Sequence, residues 1–304
     1  MKNNSSFLQK LFFLLLLSNA SIGQDLLDEL DKNIEVPKQF SIATFKSTRV
    51  INGHSVETMA KKHLDFRIAH RFGTLGNGAY ELWGLDNATM RISLEYGLTD
   101  RLMVGVSRSS LQKTYDYLVK YKLVRQSTQK GSPVSITAIA LADAITLESS
   151  PSFLFYRNIE RFSYVGQLLI ARKMNENLSL QLSPTLLHRN SVEDVGEANT
   201  WAVLGVSGRM KLTKRTSING EYFYRVPLEN GRIGVISPTS LYRNSLSIGF
   251  DIETGGHVFQ LHFTNSVGMV ERQFLVQTDG RWLKGDVHYG FNISRTFSFD
   301  KKNK

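Results

Sequence analysis

The chain has 304 residues, 41% of them hydrophobic, with 37 Lys and Arg against 27 Asp and Glu and a formal net charge of +10. It has no cysteine, which excludes disulfides, thiolate metal sites and a lipoprotein anchor. A basic balance alone suits nucleic acid, but no run of Lys and Arg interleaved with aromatics is present, so nucleic acid is not an expected partner.

The N-terminus has the pattern of an export signal. Lys2 and Lys10 form a basic lead, residues 11–17 are an apolar core, and Ser21-Ile22-Gly23 offers a small-x-small cleavage site before Gln24. That core is far shorter than the ~20 apolar residues of a membrane helix. Residues 1–23 are therefore read as a cleaved signal peptide. Next, Leu26, Leu27 and Leu30 lie among Asp25, Asp28, Glu29 and Asp31, a short acidic amphipathic stretch. It suits a solvated arm; docking on a periplasmic partner or plugging of a barrel mouth is the alternative. Residues 40–51 read as an extended piece before the turn at Asn52-Gly53. Residues 24–61 together are expected to form a periplasmic arm outside the main domain, which spans 62–304.

From Leu64 onward a two-residue alternation recurs. In the last segment Val287, Tyr289, Phe291, Ile293, Phe297 and Phe299 fall on one side, and His288, Gly290, Asn292, Ser294, Thr296 and Ser298 on the other. A strand sends successive side chains to opposite faces, so each segment has one apolar and one polar or small face. Segments with this character occupy residues 63–72, 90–97, 102–108, 115–123, 134–142, 162–171, 178–186, 202–212, 217–226, 246–252, 257–264 and 285–299. Tight turns at Thr99-Asp100, Asn175-Glu176, residues 213–216 and Gly255-Gly256 alternate with longer links at 73–87, 144–160, 187–199, 227–241 and 265–284. Short turns on one side and long loops on the other are the pattern of an outer-membrane barrel.

The fold expected is all-β: a closed antiparallel transmembrane β-barrel of about twelve strands with both termini on the periplasmic side. A soluble antiparallel sandwich also alternates. The segment lengths favour the membrane, because a tilted strand needs about 9–11 residues to span. Strands in lipid must also close, since an open edge would leave backbone groups unpaired in hydrocarbon. His70 and Arg295 fall in the apolar register; a bulge at Ser294-Arg295 would turn the guanidinium inward, with a place near an interface as the alternative. Pro184 interrupts its own strand and suggests a bulge there.

The chain resembles the uncharacterised outer-membrane β-barrel proteins of Bacteroidetes that are catalogued as a domain of unknown function. The resemblance rests on residues 64–73 (LDFRIAHRFG), 82–107 (LWGLDNATMRISLEYGLTDRLMVGVS), 113–123 (KTYDYLVKYKL) and 285–299 (GDVHYGFNISRTFSF). It implies an outer-membrane barrel and no activity.

Function, if the barrel is a channel, belongs to the inward register, and Arg67, Arg71, Arg91, Glu95, Lys120, Glu221, Arg225 and Asp251 are the expected pore-lining residues. Their cationic excess would draw small anionic solutes into a narrow pore. Charges paired across a small, filled interior are the alternative. The expected partners are outer-membrane lipid, the barrel-assembly machinery and small anionic solutes, with no cofactor. A membrane-embedded lipid hydrolase would need a nucleophile and base. There is no G-x-S-x-G elbow, and His188-Arg189-Asn190-Ser191 has the residue types but sits in an expected loop. His257 and His262 point to opposite faces, so no metal site is expected. Glycines 73, 76 and 78 lack the Lys and helix of a phosphate loop. Trp83, Trp201 and Trp282 fit an interfacial belt, with a sugar-stacking surface as the alternative. The sequence thus supports a passive pore or structural barrel, with the hydrolase and an exported soluble ligand-binding β protein behind it.

Overall fold

A computed structural model describes residues 39–127, 131–149, 155–192, 197–229, 232–233 and 242–299. The expected signal peptide and acidic stretch lie outside these residues.

Twelve long antiparallel strands form one closed sheet: β1 (His63–Thr74), β2 (Ala88–Gly97), β3 (Leu102–Ser109), β4 (Thr114–Val124), β5 (Ser135–Ile145), β6 (Phe162–Lys173), β7 (Leu178–Arg189), β8 (Thr200–Lys211), β9 (Thr216–Glu229), β10 (Ser245–Thr254), β11 (His257–Thr264) and β12 (His288–Ser298). A two-residue extension, Arg232–Ile233, pairs with the end of β9. Each strand bonds its neighbours in sequence. The ring shuts where β12 meets β1, in a register running from His63↔Ser298 to Arg71↔Gly290.

The short turns are built by their own side chains. Thr99 Oγ1 accepts the amides of Arg101 and Leu102, Asn175 Oδ1 those of Asn177 and Leu178, and Thr213 Oγ1 those of Arg215 and Thr216. The β10–β11 turn instead uses Gly255 (φ 39°) and Gly256 (φ 106°), left-handed at both positions as a two-residue hairpin requires.

Burial follows the alternation, with the polar side in. In β2, Arg91, Ser93 and Glu95 are at most 3% exposed, whereas Met90, Ile92 and Leu94 are about 40% exposed. The same inversion sets Tyr117, Val119 and Tyr121 outside Asp116 and Lys120 in β4, and Ile248, Phe250 and Ile252 outside Ser247 and Asp251 in β10. A soluble protein would leave this apolar belt in water at roughly 25 cal/mol per Å²; a lipid-facing barrel leaves it in hydrocarbon.

The expected bulges are absent. Pairing runs unbroken through Phe66↔Arg295 and Arg67↔Ser294, and the register shift lies instead between Arg71 and Thr74. Arg295 stays on the outer register, with its guanidinium 5.0 Å from the Phe297 ring. His70 also faces out, stacked on Phe291 at 5.2 Å. Pro184 keeps the β7–β8 register, and its missing N–H falls where β6–β7 pairing lapses between Gln167↔Thr185 and Ile170↔Leu182.

Replacing Val206, which faces lipid near the middle of β8, by Arg is expected to destabilise the barrel by about 2–4 kcal/mol. Urea unfolding in lipid vesicles measures this, and an unchanged midpoint would contradict the assigned outer face.

Candidate functional site

The lumen is filled from both ends. Residues 44–56, expected in an arm outside the barrel, are folded inside it. The chain enters at the short-turn end, where Ser41 N donates to Gln126 O (2.9 Å), the Arg125 guanidinium lies 4.2 Å from the Phe40 ring and Lys173 Nζ donates to Ile42 O (3.0 Å). It then forms a hairpin: Arg49 bridges His54, and the amides of Val50 and Ser55 donate to Gly53 O and Thr48 O. Glycine at position 53 lets the hairpin seat against Phe223, because a Cβ there would stand 2.6 Å from Phe223 Cζ and force the ring or the hairpin to shift.

The hairpin is held by polar groups all round the wall. Glu221 on β9 accepts the amides of Asn52 (2.8 Å), Gly53 (3.0 Å) and Ile51 (3.3 Å). Arg71 on β1 donates to Asn52 Oδ1 (2.7 Å), while Asn52 Nδ2 donates to Ser247 Oγ (3.1 Å) on β10. Side chains of Gln260, Asn292, Gln181 and Thr137 donate to the carbonyls of Val50, Ile51, His54 and Val56 at 2.8–3.0 Å. Arg67 donates to Ser47 and Thr48, Lys120 to Thr48 O (3.2 Å), and Thr48 Oγ1 donates to Glu95 (2.5 Å). The apolar residues Phe45, Val50, Ile51 and Val56 cluster with one another and with Ala171.

From the other end, the long β11–β12 connection sends in a short helix, Glu271–Val276, all of it buried. Arg272 Nε donates to Asp143 (3.1 Å) on β5, and its Nη2 donates to Gln112 Oε1 (2.6 Å). Phe274 packs on Phe223, ring centroids 5.3 Å apart. Phe223 thus touches both fillers and belongs to an inward apolar patch with Met103, Leu118, Leu141, Leu169 and Val203.

The fillers meet at Glu271. Its Oε1 lies 2.9 Å from Arg49 Nη1 and 3.1 Å from His54 Nε2. Burial and the adjacent Arg49 charge push the His54 pKa down to about 4, against the bonding partner Glu271, so the ring is neutral at physiological pH. A neutral ring offers Nε2 either as donor to Glu271 or as acceptor for Arg49 Nη2 at 3.1 Å. Burial opposes ionisation of Glu271, but Arg49 and His54 outweigh it and hold its pKa well below the usual carboxylate range.

All eight residues expected to line a pore face the lumen and are buried. Arg67, Arg71, Glu95, Lys120 and Glu221 hold the hairpin, as above. Arg91 forms two bonds to Asp116 (2.8 and 3.1 Å), Asp251 accepts from Gln260 (2.9 Å), and Arg225 donates to the carbonyls of Val276 (3.2 Å) and Tyr242. Sequence reading missed Arg49, Asn52, His54, Glu271 and Arg272, which lie outside the strands and carry no periodic signal. It also passed over Gln181, Gln260 and Asn292, which share the inward register but carry no charge. Trp201, expected in an interfacial belt, is instead 2% exposed inside the barrel with Arg225 over its ring at 5.0 Å. His188, expected in a loop, lies in β7 on the outer face, its Nδ1 2.8 Å from Thr200 Oγ1. Among the described residues no three His, Asp or Glu side chains converge as metal ligands would.

A family model described as a membrane bound beta barrel domain (DUF5777) matches residues 45–297. The chain belongs to this family. The matched region starts within the lumenal hairpin and runs through the wall, and the protein is an outer-membrane β-barrel. No curated protein matches the chain. Among solved structures it is similar to the COG4313 outer membrane channel from Pseudomonas putida F1, at 12% identity over 80% of this chain and 98% of that one, with a TM-score of 0.49. It is similar also to the NanC porin, at 9% identity over 78% and 100% of the chains, TM-score 0.47. The KdgM porin matches at 10% identity over 78% and 99%, TM-score 0.44.

Replacing Gly53 by Leu should unseat the hairpin while leaving the barrel closed, because the new side chain collides with Phe223. With Val50→Cys as reporter in a chain that has no other cysteine, thiol labelling should speed up at least about tenfold, the scale of one lost core contact. Equal labelling rates with and without the Gly53 change would refute this seat.

Proposed function

We propose that this barrel is a narrow solute pore of the outer membrane and that the N-terminal hairpin is its removable closure. The observation that carries the reading is the chemistry of the seat. The hairpin meets the wall through hydrogen bonds to Glu221, Arg71, Gln260, Asn292, Gln181 and Lys120, while its apolar side chains pack largely on one another. Water can replace such wall contacts one by one, since a neutral intramolecular hydrogen bond is worth only about 1 kcal/mol over its hydrated partners and one to a charged group about 1.5–3 kcal/mol. Withdrawal would hydrate the part of the lumen lined by Arg67, Arg71, Arg91 and Lys120 with Glu95, Glu221 and Asp251, which would favour small anionic solutes. It would leave the loop helix Glu271–Val276, released from Arg49 and His54, as what a solute must still pass. The second reading, a permanently filled structural barrel, is favoured by the Arg49–Glu271 ion pair that ties the two fillers together. For a lipid hydrolase, the contact of His188 with the Thr200 hydroxyl lies on the outer face, and among the described residues no third group bonds the ring to orient it as a base.

Planar-bilayer conductance tests the pore. An Asn52→Cys/Ser247→Cys pair, joined by a short bis-thiol linker, should abolish conductance that a cleavable version of the linker restores on reduction. Unaltered conductance in the linked protein, or none in any form, would overturn the removable closure.

Acid should open the pore. His54 in a displaced hairpin regains an ordinary pKa near 6.5, whereas the seated ring sits near 4 beside Arg49, with Glu271, Glu95 and Lys120 around it. The displaced state therefore binds the extra proton between these values, so seating is fully favoured above about 6.5 and weakens as pH falls toward 4. Open probability should rise over that window and lose this dependence in His54→Gln.

A further inference from the structure

The long-loop end of the lumen carries a cluster of arginines that the hairpin does not use. Arg189, at the end of β7, is 2% exposed. Its Nη2 donates to Glu197 (2.9 Å) and to Ala198 O (3.1 Å), while its Nε and Nη1 are buried with no acceptor. Arg225 lies beside it on β9, close enough for Arg189, Arg243 and Glu197 all to act on its charge, with its guanidinium over the Trp201 ring. Arg243, just before β10, is exposed and donates to Tyr242 O (3.0 Å). Glu197 is thus bonded to Arg189 and near Arg225, and Arg225 in turn is bonded to the carbonyls of Val276 and Tyr242. Buried donors without partners are rare in native proteins and commonly mark the place of a water or ion, and a guanidinium is the group best suited to an oxyanion.

We propose that Arg189 and Arg225 form an oxyanion-binding site at the outer end of the lumen, with Arg243 as its first point of contact. The ligand class is a small solute bearing a carboxylate or phosphate, which would occupy the unpartnered Nε and Nη1 donors of Arg189. This deepens the pore reading by giving it a capture site. Nε and Nη1 of Arg67 and Nε of Arg71 are unpartnered too, but the other donors of both residues hold the hairpin, whereas the bonds of Arg189 go to Glu197 and Ala198 and to neither filler.

The test uses the detergent-purified full chain, with Trp83 and Trp282 changed to Phe so that Trp201 alone reports. Titration with sodium acetate, and separately with sodium phosphate, at constant ionic strength should change Trp201 fluorescence saturably. Arg189→Gln should weaken the affinity at least about tenfold, the effect of losing one charge-assisted hydrogen bond. Arg215→Gln, in a turn at the opposite end, should leave it unchanged. Heat-modifiable migration confirms that each variant remains a closed barrel. A non-saturating change, or the same curve for Arg189→Gln as for the parent, would overturn the site. Saturable binding in a barrel that never conducts would leave the site standing and remove the pore; conductance with no saturable binding would do the reverse.

Discussion

The structure depends on one constraint: backbone amides and carbonyls cannot remain unpaired in hydrocarbon. Closure of β12 onto β1 meets it, and the rest follows from closure. A sealed ring has one face toward lipid and one toward a lumen, so the two-residue period of every strand becomes a partition between solvents. Tyr117, Val119, Phe250 and Leu261 go to lipid, and Asp116, Lys120, Asp251 and Gln260 go inside. The cost of that partition is an interior crowded with ionisable groups. They need partners, and the wall alone supplies only some, such as Arg91 with Asp116.

The two fillers answer this need differently. The N-terminal hairpin presents mostly backbone groups and small polar side chains to the charged part of the wall, and Glu221 alone receives three of its amides. The loop helix instead presents Phe274, Leu275 and Val276 to an apolar patch of the inner face, while Arg272 reaches Asp143. Wall and fillers are complementary in both charge and apolar surface. At their junction Arg49, His54 and Glu271 make the position of one filler depend on the other.

Strand location and facing were legible in the sequence because a local pattern, repeated every two residues, decides them. The lipid face and all eight inward charged residues followed from it. The hairpin was not legible as a filler, since its bonds join residues far apart in the chain: Ile51 to Asn292, Asn52 to Glu221, Arg49 to Glu271. Nothing near Asn52-Gly53 separates a turn in water from a turn against Phe223. Trp201 misled for a related reason. Belt tryptophans and lumenal tryptophans both fall at strand ends, and one residue of register decides which face is reached. Arg295 needed no bulge, because the adjacent Phe297 ring accommodates its guanidinium on the outer face.

The hairpin enters and leaves by the same opening. Ser41 is bonded to Gln126 on the way in, and Lys61 N to Asp100 Oδ1 (3.1 Å) on the way out, both at the short-turn end. A segment arranged in this way is a doubled-over loop whose two legs share one doorway. No chain end has to be threaded through the ring, and no strand pair has to part, for it to come or go. Wall and stopper are therefore mechanically separable although they are one polypeptide. Because the seat includes side chains from β9 to β12, it is complete only after the last strands are laid down, so the first residues of this domain to emerge are among the last to find their places.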